Sequence, residues 1–312
     1  MQVIDLFAGF GGWSTGAKMA GAQVLWAANH WPEAVNWHMR NHPDTEHVCQ
    51  DLHQADWSRV PSHDVLLASP CCHGHSPARG KPADNPQHDA SRSTAWAVVT
   101  AAEYHRPEVV IVENVPHFLE WSLYPAWNMA MEALGYVGSS HVVDCADLGI
   151  PQNRIRLFAI YTRSKAPLFE KLPAHLLLPE HQHRTARSFV DFDSGRWSLV
   201  EKPGRAKNTL DRVRNGRKQF GDRFVMPYYG NGSGKTGRSL DRPIGTIVTR
   251  ARWAVVDGPY MRMLTPEENM AAQTFPADTQ RPRSGKATIH LTGNAVPPEA
   301  GCRIIQAVKA AA

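Results

Sequence analysis

Residues 63–80 read His-Asp-Val-Leu-Leu-Ala-Ser-Pro-Cys-Cys-His-Gly-His-Ser-Pro-Ala-Arg-Gly. The apolar run Val65–Ala68 is too short for a helix and is flanked by turn residues, so it predicts a buried strand. Pro70 ends this strand, because proline has no N–H to donate to a sheet ladder. Two cysteines and two histidines follow on a loop. Open α/β sheets bind ligands at the carboxyl ends of parallel strands, so the stretch predicts a functional site at such an edge.

The adjacent cysteines Cys71 and Cys72 allow three interpretations. In the first, they are small buried hydrophobic residues in a turn. In the second, they bind a metal ion with His73 and His75, although zinc ligands are usually spaced by two to four residues. In the third, one of them is a nucleophile, which needs an acid to bind the substrate and a group that stabilises the developing charge. Both groups occur downstream, and this favours the nucleophile.

The composition is that of an ordinary globular protein with excess positive charge. The 312 residues are 42% hydrophobic, the net charge is +5 and the pI is ≈ 9.0. This length allows one large domain or two unequal ones, and the charge fits a polyanionic partner. The 5 cysteines lack the spacing of a disulfide framework, the start lacks a signal-peptide pattern, and no apolar run is long enough to span a membrane. We therefore expect a cytoplasmic protein with reduced thiols.

Predicted strands and helices alternate up to residue 163. Besides Val65–Ala68, strands are expected at Val3–Phe7, Gln23–Ala28, His47–Cys49, Val109–Val112, Val137–Val143 and Leu157–Tyr161, and helices at Glu33–Asn41, Arg92–His105 and Ala126–Leu134. Such alternation is typical of βαβ units. The sequence therefore predicts an α/β fold with a doubly wound, mostly parallel sheet.

Glycine, aromatic and polar residues follow the first three predicted strands. The segment 8–12 is glycine-rich, which suits a tight turn that lets a ligand approach the N-terminus of a helix. A dinucleotide fingerprint would need a further glycine where Ser14 stands. His30 and Trp31 end the second strand, where nucleoside-binding folds usually place an acid, and the third strand leads to Asp51. These residues indicate a nucleotide-like ligand, but a plain strand–helix turn explains the glycines equally well.

Charged residues mark two later strand ends. Glu113 stands directly after the apolar run 109–112, where burying a carboxylate is costly unless it has a role or a partner. Gln152, Arg154 and Arg156 alternate, so they would share one face of an extended segment and set two cations side by side. A solvated surface is an equally good explanation of these arginines in isolation.

The composition changes after about residue 164. Residues 165–258 are rich in Arg, Lys, Gly and Pro, which suits a nucleic-acid groove, although a solvated loop region has the same composition. Order returns with predicted helices over 263–273 and 298–312. We expect a smaller, mostly irregular lobe, inserted between two parts of one catalytic domain that comprises residues 1–164 and 259–312.

Six motifs together resemble the C5-cytosine DNA methyltransferase family and occur in its order. They are Asp5–Gly12, the prolyl-cysteine stretch at Pro70, Glu113–Val115, Gln152–Arg156, Arg262–Glu267 and Gly293–Val296. The resemblance covers residues 1–163 and 259–312 and leaves the segment between them as the family's variable target-recognition region. It implies the S-adenosylmethionine-dependent methyltransferase fold, DNA methylation of the restriction-modification type, and double-stranded DNA with a short specific target as partner.

The nucleophile motif departs from the family pattern. The usual Pro-Cys-Gln is replaced by Pro-Cys-Cys-His at residues 70–73. One branch of the family inserts a residue after the proline and keeps a later His-Ser pair followed by Ala-Arg-Gly. Aligned through His75-Ser76, the resemblance implies that Cys72 is the nucleophile, whereas alignment through the proline alone implies Cys71. The longer match favours Cys72.

The resemblance also implies a covalent mechanism. A cysteine thiolate adds to carbon 6 of a cytosine that has left the duplex, and carbon 5 then attacks the methyl group of S-adenosylmethionine. Glu113 would hold the ring, and Arg156, with Arg154 near it, would stabilise charge on O2. The implied cofactor-binding residues are Phe7, Gly9, Gly11, His30, Trp31, Asp51 and Asn294.

The replacement of the usual acid by His30 predicts that ribose binding depends on pH. Two alternative functions remain at this point. One is an RNA cytosine methyltransferase with the same core. The other is a catalytically inactive regulator that binds nucleic acid, although such a protein has no reason to retain the cysteine, the glutamate and the arginines.

Overall fold

The structure is a computed structural model that describes residues 1–71, 93–228 and 234–311. The predicted nucleophile Cys72 and the neighbouring His75 lie outside the described residues. The chain forms two compact units. The larger comprises Met1–Asp144, Ile155–Leu177 and Val296–Ala312, and the smaller comprises Cys145–Arg154 and Leu178–Ala295.

The larger unit is built on a seven-stranded sheet. Its strands are β1 (Gln2–Leu6), β2 (Gln23–Asn29), β3 (Glu46–Cys49), β4 (Val65–Ala68), β5 (Val109–Asn114), β6 (Val137–Asp144) and, after β7 (Gln152–Asn153) of the smaller unit, β8 (Ile155–Thr162). Their spatial order is β3-β2-β1-β4-β5-β8-β6. Strands β1 to β5 run parallel, whereas β8 is antiparallel to both β5 and β6. The predicted α/β fold with a mostly parallel sheet is confirmed.

The predicted helices are present, and two further helices, over 207–220 and 285–294, were not predicted. The helices of the described chain are α1 (Gly12–Met19), α2 (Pro32–Asn41), α3 (Trp96–His105), α4 (Tyr124–Ala133), α5 (Lys207–Phe220), α6 (Pro266–Ala272), α7 (Gly285–Asn294) and α8 (Pro298–Ala311). Helices α5 to α7 belong to the smaller unit and the others to the larger. Within the described ranges, none of these helices has the length and apolar character needed to cross a membrane.

The core of the larger unit lies around its central strands. Every residue of β4 and of β5 is buried, as expected for strands covered on both faces. Trp26, Phe118 and Trp127 are among the large side chains in this core. Burial of such apolar surface is the dominant stabilising contribution to folding. It also gives the loops at the ends of these strands a rigid support.

The smaller unit contains a sheet that the sequence did not predict. It contains an antiparallel sheet of β9 (Ser198–Leu199), β10 (Arg223–Pro227), β12 (Trp253–Asp257) and β13 (Tyr260–Met263), while β11 (Ile244–Gly245) pairs in parallel with β7. The helix over 207–220 and the strands cover less than half of residues 165–258, so the expectation of a smaller, mostly irregular lobe is confirmed, although the sheet itself was not predicted. The short apolar segments 224–226 and 253–256 are buried in this sheet, but the basic and glycine-rich sequence around them hides the pattern.

Strand pairing also explains why the units differ in extent from the predicted domains. β13 forms a hairpin with β12, so residues after 258 join the smaller unit. β7 pairs with β11, so residues 145–154 join it as well. β12 and β13 are adjacent across a tight turn, whereas β7 and β11 are far apart in the sequence. The amino-acid composition predicts neither pairing.

Candidate active site

The carboxyl ends of β4 and β5 lie side by side, because the two strands are parallel neighbours. Asn114 Nδ2, at the end of β5, donates a hydrogen bond of 3.0 Å to the carbonyl oxygen of Pro70. The Cys71 N–H donates to Thr94 Oγ1 at 3.0 Å. The start of the predicted nucleophile loop is therefore tied to the end of β5. Cys71 is half-buried there.

Glu113 and Arg156 meet at this same edge. Because β8 is antiparallel to β5, the first residues of β8 lie beside the last residues of β5, and Glu113 is opposite Phe158. Arg156 Nε lies 3.0 Å from Glu113 Oε1, and the two side chains are 14% and 10% exposed. Arg156 Nη1 also donates to the carbonyl oxygen of Ile155 at 2.7 Å. Two of the predicted catalytic side chains thus form one nearly buried ion pair.

Arg154 has a different environment from Arg156. β7 ends at Asn153 and β8 begins at Ile155, and these strands belong to different sheets. Arg154 is 2% exposed, and its guanidinium donates to three carbonyl oxygens of the smaller unit, those of Ile247 (3.0 Å), Gly293 (3.2 Å) and Ala295 (3.1 Å). The prediction that Gln152, Arg154 and Arg156 share one face of an extended segment is wrong. The three carbonyls accept hydrogen bonds from both terminal nitrogens of Arg154 and hold its side chain inside the smaller unit.

The tips of β1, β2 and β3 line the other half of the sheet edge. Backbone hydrogen bonds continue beyond the strands, from Ala8 N to Ala28 O (3.0 Å) and from Gln50 N to Asn29 O (3.1 Å). The three loops predicted to bind the cofactor are therefore neighbours, as the parallel order of these strands requires.

The loop after β1 has an unusual backbone. Phe7, Gly9 and Gly11 all have left-handed conformations, with φ of 61°, 55° and 88°. A left-handed residue with a Cβ atom is uncommon, and such residues cluster at ligand sites. Gly11 is also the N-cap of α1, and a Cβ atom added there would lie 2.8 Å from His42 Nε2. The loop thus presents the N-terminus of α1 at the sheet edge, a position that favours anionic or polar ligand groups.

The tips of β2 and β3 supply the remaining predicted side chains. His30 is exposed. Trp31 is half-buried, and its backbone N–H donates to Asn29 Oδ1 at 3.0 Å. Asp51 is exposed and accepts hydrogen bonds from the backbone N–H (3.0 Å) and Nδ1 (2.9 Å) of His53. The backbone bond from His53 is the main reason that the pKa of Asp51 lies below its ordinary value. An aromatic ring and a carboxylate are therefore available at this edge.

Asn294 belongs to a different unit from the other predicted cofactor-binding residues. It is the exposed last residue of α7 in the smaller unit. Its predicted contact with the methionine end of the cofactor stays a prediction.

Asp5 is part of the first sequence motif, but no role was predicted for it. It is fully buried in β1, and its Oδ2 atom accepts hydrogen bonds from Ser14 N (3.1 Å) and Ser14 Oγ (2.7 Å). Desolvation by burial raises the pKa of Asp5 to about 7. The sequence signal was a single acid inside an apolar strand, combined with a serine where the dinucleotide fingerprint expects glycine. Asp5 and Ser14 together fix the first turn of α1 against β1.

The family model of C-5 cytosine-specific DNA methylases matches residues 1–310. The chain belongs to this family. Among curated relatives, the type II methyltransferase M.AgeI of Thalassovita gelatinovora is 28% identical over 187 residues, which are 56% of this chain and 43% of that protein. The type II methyltransferase M.HgiDI of Herpetosiphon aurantiacus is 28% identical over 303 residues, 95% of this chain and 90% of that protein. The chain thus spans less than half of the first relative and nearly all of the second.

A solved structure shows the same fold. It is described as a candidate DNA modification methyltransferase encoded within an E. coli prophage, and it covers 99% of both chains with a TM-score of 0.71 at 19% identity. The family match and the curated relatives confirm the predicted family and class of enzyme, and this likeness confirms the methyltransferase fold.

Proposed function

We propose that this protein transfers a methyl group from S-adenosylmethionine to carbon 5 of a cytosine in double-stranded DNA, at a short specific target and in the cytoplasm. Membership of the C-5 cytosine-specific family supports DNA as the substrate. The observation that carries the reaction is the Glu113–Arg156 ion pair at the carboxyl edge of the sheet, where the next residue, Asn114, is bonded to Pro70.

The reaction needs a nucleophile because carbon 5 of cytosine is too weakly nucleophilic to take a methyl group unaided. We assign this role to Cys72, whose thiolate forms a bond to carbon 6 while the ring electrons move toward carbon 5. Carbon 5 then takes the methyl group, a base removes its proton, and elimination breaks the bond to sulfur. A free thiol has a pKa of about 8.5, so a neighbouring cation that stabilises the thiolate speeds the first step.

Glu113 and Arg156 can bind neighbouring groups on one edge of the pyrimidine. In its protonated form, the Glu113 carboxyl group can donate to N3 and accept from the exocyclic amine. The Arg156 guanidinium, whose Nη1 is held by the Ile155 carbonyl, can stabilise negative charge that develops on O2. Because the two side chains are bound to each other at 3.0 Å, each restricts the orientation of the other before substrate arrives.

The residues at the tips of β1 to β3 fit the methyl donor. S-adenosylmethionine supplies an electrophilic methyl group on a sulfonium ion. The left-handed loop through Gly9 and Gly11 gives close backbone access, the Trp31 ring offers a stacking surface for adenine, and the Asp51 carboxylate can accept from its amine. His30 stands at the ribose position. Calorimetry on the Trp31→Ala and Asp51→Ala double variant should show a marked loss of cofactor affinity, and unchanged tight binding would contradict this placement.

We assign target recognition to the segment 165–258. Three of its arginines have internal roles, because Arg205, Arg212 and Arg217 donate to backbone carbonyls of the same unit. Exposed cations such as Lys218 are therefore the better candidates for phosphate contacts. Exchanging this segment with that of a relative should change the methylated sequence and preserve methyl transfer, whereas a chimera that keeps its original target would remove the assignment.

The test of the mechanism uses duplex DNA in which the target cytosine is replaced by 5-fluorocytosine. Elimination cannot proceed from this base, so the enzyme stays covalently attached. Cys72→Ser should abolish the adduct, because an alcohol is almost never ionised at neutral pH, and Cys71→Ser is the matched control that should retain it. The reverse pattern would transfer the role to Cys71, and an adduct that survives both substitutions would exclude the mechanism. A parallel assay on tRNA separates DNA from RNA as the substrate.

A further inference from the structure

A chain of hydrogen bonds lies beneath the loop after β1 and connects four elements of the larger unit. His47 Nε2, on β3, is 2.7 Å from His38 Nδ1 on α2. His38 Nε2 is 3.0 Å from Ser14 Oγ on α1. The Ser14 hydroxyl is 2.7 Å from Asp5 Oδ2 on β1. Asp5, Ser14 and His38 are at most 1% exposed, so these groups depend on one another for partners.

The donors in this chain have a single order when Asp5 is ionised. A carboxylate only accepts, so the Ser14 hydroxyl donates to Asp5 and its oxygen accepts from His38 Nε2–H. A neutral His38 that donates from Nε2 must accept at Nδ1, and His47 Nε2–H is the donor there. The charge on Asp5 thus determines which atom donates in each of these hydrogen bonds. A change at His38 therefore alters how firmly Ser14 is held at Asp5.

Asp5 is the group of this chain of hydrogen bonds whose charge changes near neutral pH, because burial raises its pKa to about 7. Burial is the main reason that the pKa of His38 is well below its ordinary value and that the pKa of His47 is lowered. His42, whose ring centroid is 4.6 Å from that of His38, has a pKa of about 4 through burial and through the charge of Lys18. The histidines are therefore neutral at physiological pH and act as oriented dipoles.

The chain of hydrogen bonds ends on the turn that carries the proposed cofactor loop. Ser14 lies in the first turn of α1, and its own N–H also donates to Asp5 Oδ2 at 3.1 Å. The N-cap of this helix is Gly11, the last left-handed residue of the loop. Thr15 Oγ1 lies 3.2 Å from His42 Nε2, which gives the same turn a second attachment to α2. The orientation of the helix N-terminus thus depends on side chains of α2.

We propose that His38 is a positioning residue that holds the Ser14–Asp5 contact and thereby keeps the loop Phe7–Gly11 in the conformation that binds the methyl donor. This inference rests on the proposed function, since it assigns the loop to S-adenosylmethionine. His38 touches neither the donor nor the reacting atoms. Its effect is transmitted through Ser14 to the first turn of α1.

The test compares His38→Leu with His38→Gln. The leucine removes the donor to Ser14, whereas the glutamine amide can reach Ser14 in place of Nε2–H. His63→Gln is the matched control, because His63 is also buried and burial also lowers its pKa, to about 4 in its case, but it bonds to the Pro61 carbonyl at 2.9 Å. The dissociation constant of S-adenosylmethionine is measured by calorimetry between pH 6 and pH 8.5 for the full-length protein.

We expect wild-type affinity to increase with pH, because an ionised Asp5 binds Ser14 more strongly than a neutral one. His38→Leu should weaken binding by about tenfold, the equivalent of one lost hydrogen bond, and shift the midpoint of the profile to higher pH. His38→Gln and His63→Gln should keep the wild-type midpoint. Equal effects of His38→Leu and His38→Gln, or a midpoint that does not move in His38→Leu, would overturn the proposal.

Backbone amide exchange without any ligand provides a second measurement. Residues 7–15 should exchange faster in His38→Leu than in the wild-type protein, and at wild-type rates in His38→Gln. If the wild-type protein binds no S-adenosylmethionine at any pH, the proposed function fails. Exchange then still decides whether His38 positions this loop, and unchanged exchange in His38→Leu would reject that role.

Discussion

Replacing Glu268 by glutamine tests the most deeply buried ion pair of the smaller unit. Arg262 and Glu268 have side chains that are 1% and 3% exposed, and Arg262 Nη2 lies 2.7 Å from Glu268 Oε1. The guanidinium also contacts the carbonyl oxygen of Asp191 at 2.6 Å and stacks on the Trp197 ring at 4.8 Å. Glu268 completes a capping box with Thr265 at the start of α6. One carboxylate therefore joins a strand, a loop and a helix terminus.

The magnitude follows from the contacts of the two carboxylate oxygens. Oε1 accepts from Arg262 Nη2 (2.7 Å) and from Asp191 N (2.9 Å), whereas Oε2 accepts from Arg262 Nη1 (2.7 Å) and from Thr265 N (2.7 Å). Glutamine turns one oxygen into a donor, so a pair of buried N–H groups loses its acceptor whichever way the amide is turned. The buried guanidinium also loses its counter-ion. Breaking a buried pair in this way costs about 3–5 kcal/mol.

The assay is urea unfolding at pH 7.5, followed by far-UV circular dichroism, with Glu267→Gln as the matched control. Glu267 is the preceding residue on the same helix and pairs with Arg281, but its side chain is 59% exposed. An exposed pair contributes about 0–1 kcal/mol, so the control should unfold at nearly the wild-type urea concentration. A Glu268→Gln variant that is as stable as the Glu267→Gln variant would refute the reasoning, because it would mean that the buried donors find other partners.

Three further perturbations have defined outcomes. Gly12→Ala should lower the free energy of unfolding by about 3 kcal/mol, because the added Cβ would lie 1.9 Å from the Val296 carbonyl oxygen. Gly204→Ala, which has open space around it, should cost only about 1 kcal/mol, because its backbone is left-handed. Thermal unfolding of both variants checks this difference. The pKa of Asp5 is raised from 3.8 to about 7, so its stabilisation is complete below pH 3.8 and is lost as the pH rises through 7. In the wild-type protein this effect should lower the free energy of unfolding by about 4 kcal/mol between pH 4 and pH 8, and in Asp5→Asn it should be absent. An equal pH dependence of the wild-type protein and the variant would contradict the raised pKa. Lys218→Gln should weaken binding to unrelated and target DNA alike and reduce the slope of log affinity against log salt by about 1, which a salt titration of binding would measure.

Much of the larger unit was predictable from the sequence, because its signals are local. The runs Val65–Ala68 and 109–112 are apolar and bounded by turn residues, and such runs form buried strands whatever lies beyond them. Once the strands are parallel, their carboxyl ends must share one edge. The proximity of Glu113 to the prolyl-cysteine segment follows from that rule alone.

The tertiary structure determines the different partners of Arg154 and Arg156. The two residues have the same side chain and are separated by one position, so no local pattern distinguishes them. Arg156 pairs with Glu113 because β8 runs antiparallel to β5, and Arg154 is surrounded by carbonyls that come from segments roughly 90 to 140 residues later in the chain.

The same distinction explains the smaller unit and the chain of hydrogen bonds under the cofactor loop. Composition identified residues 165–258 as basic and glycine-rich, but the pairing of β12 with both β10 and β13 determines its sheet and its extent. Asp5, Ser14, His38 and His47 come from four separate elements, and no local pattern shows that they contact one another. Local preferences depend on neighbours in sequence, whereas the partners of a buried polar group depend on which distant surfaces pack together, because a group removed from water must find its hydrogen bonds within the folded chain.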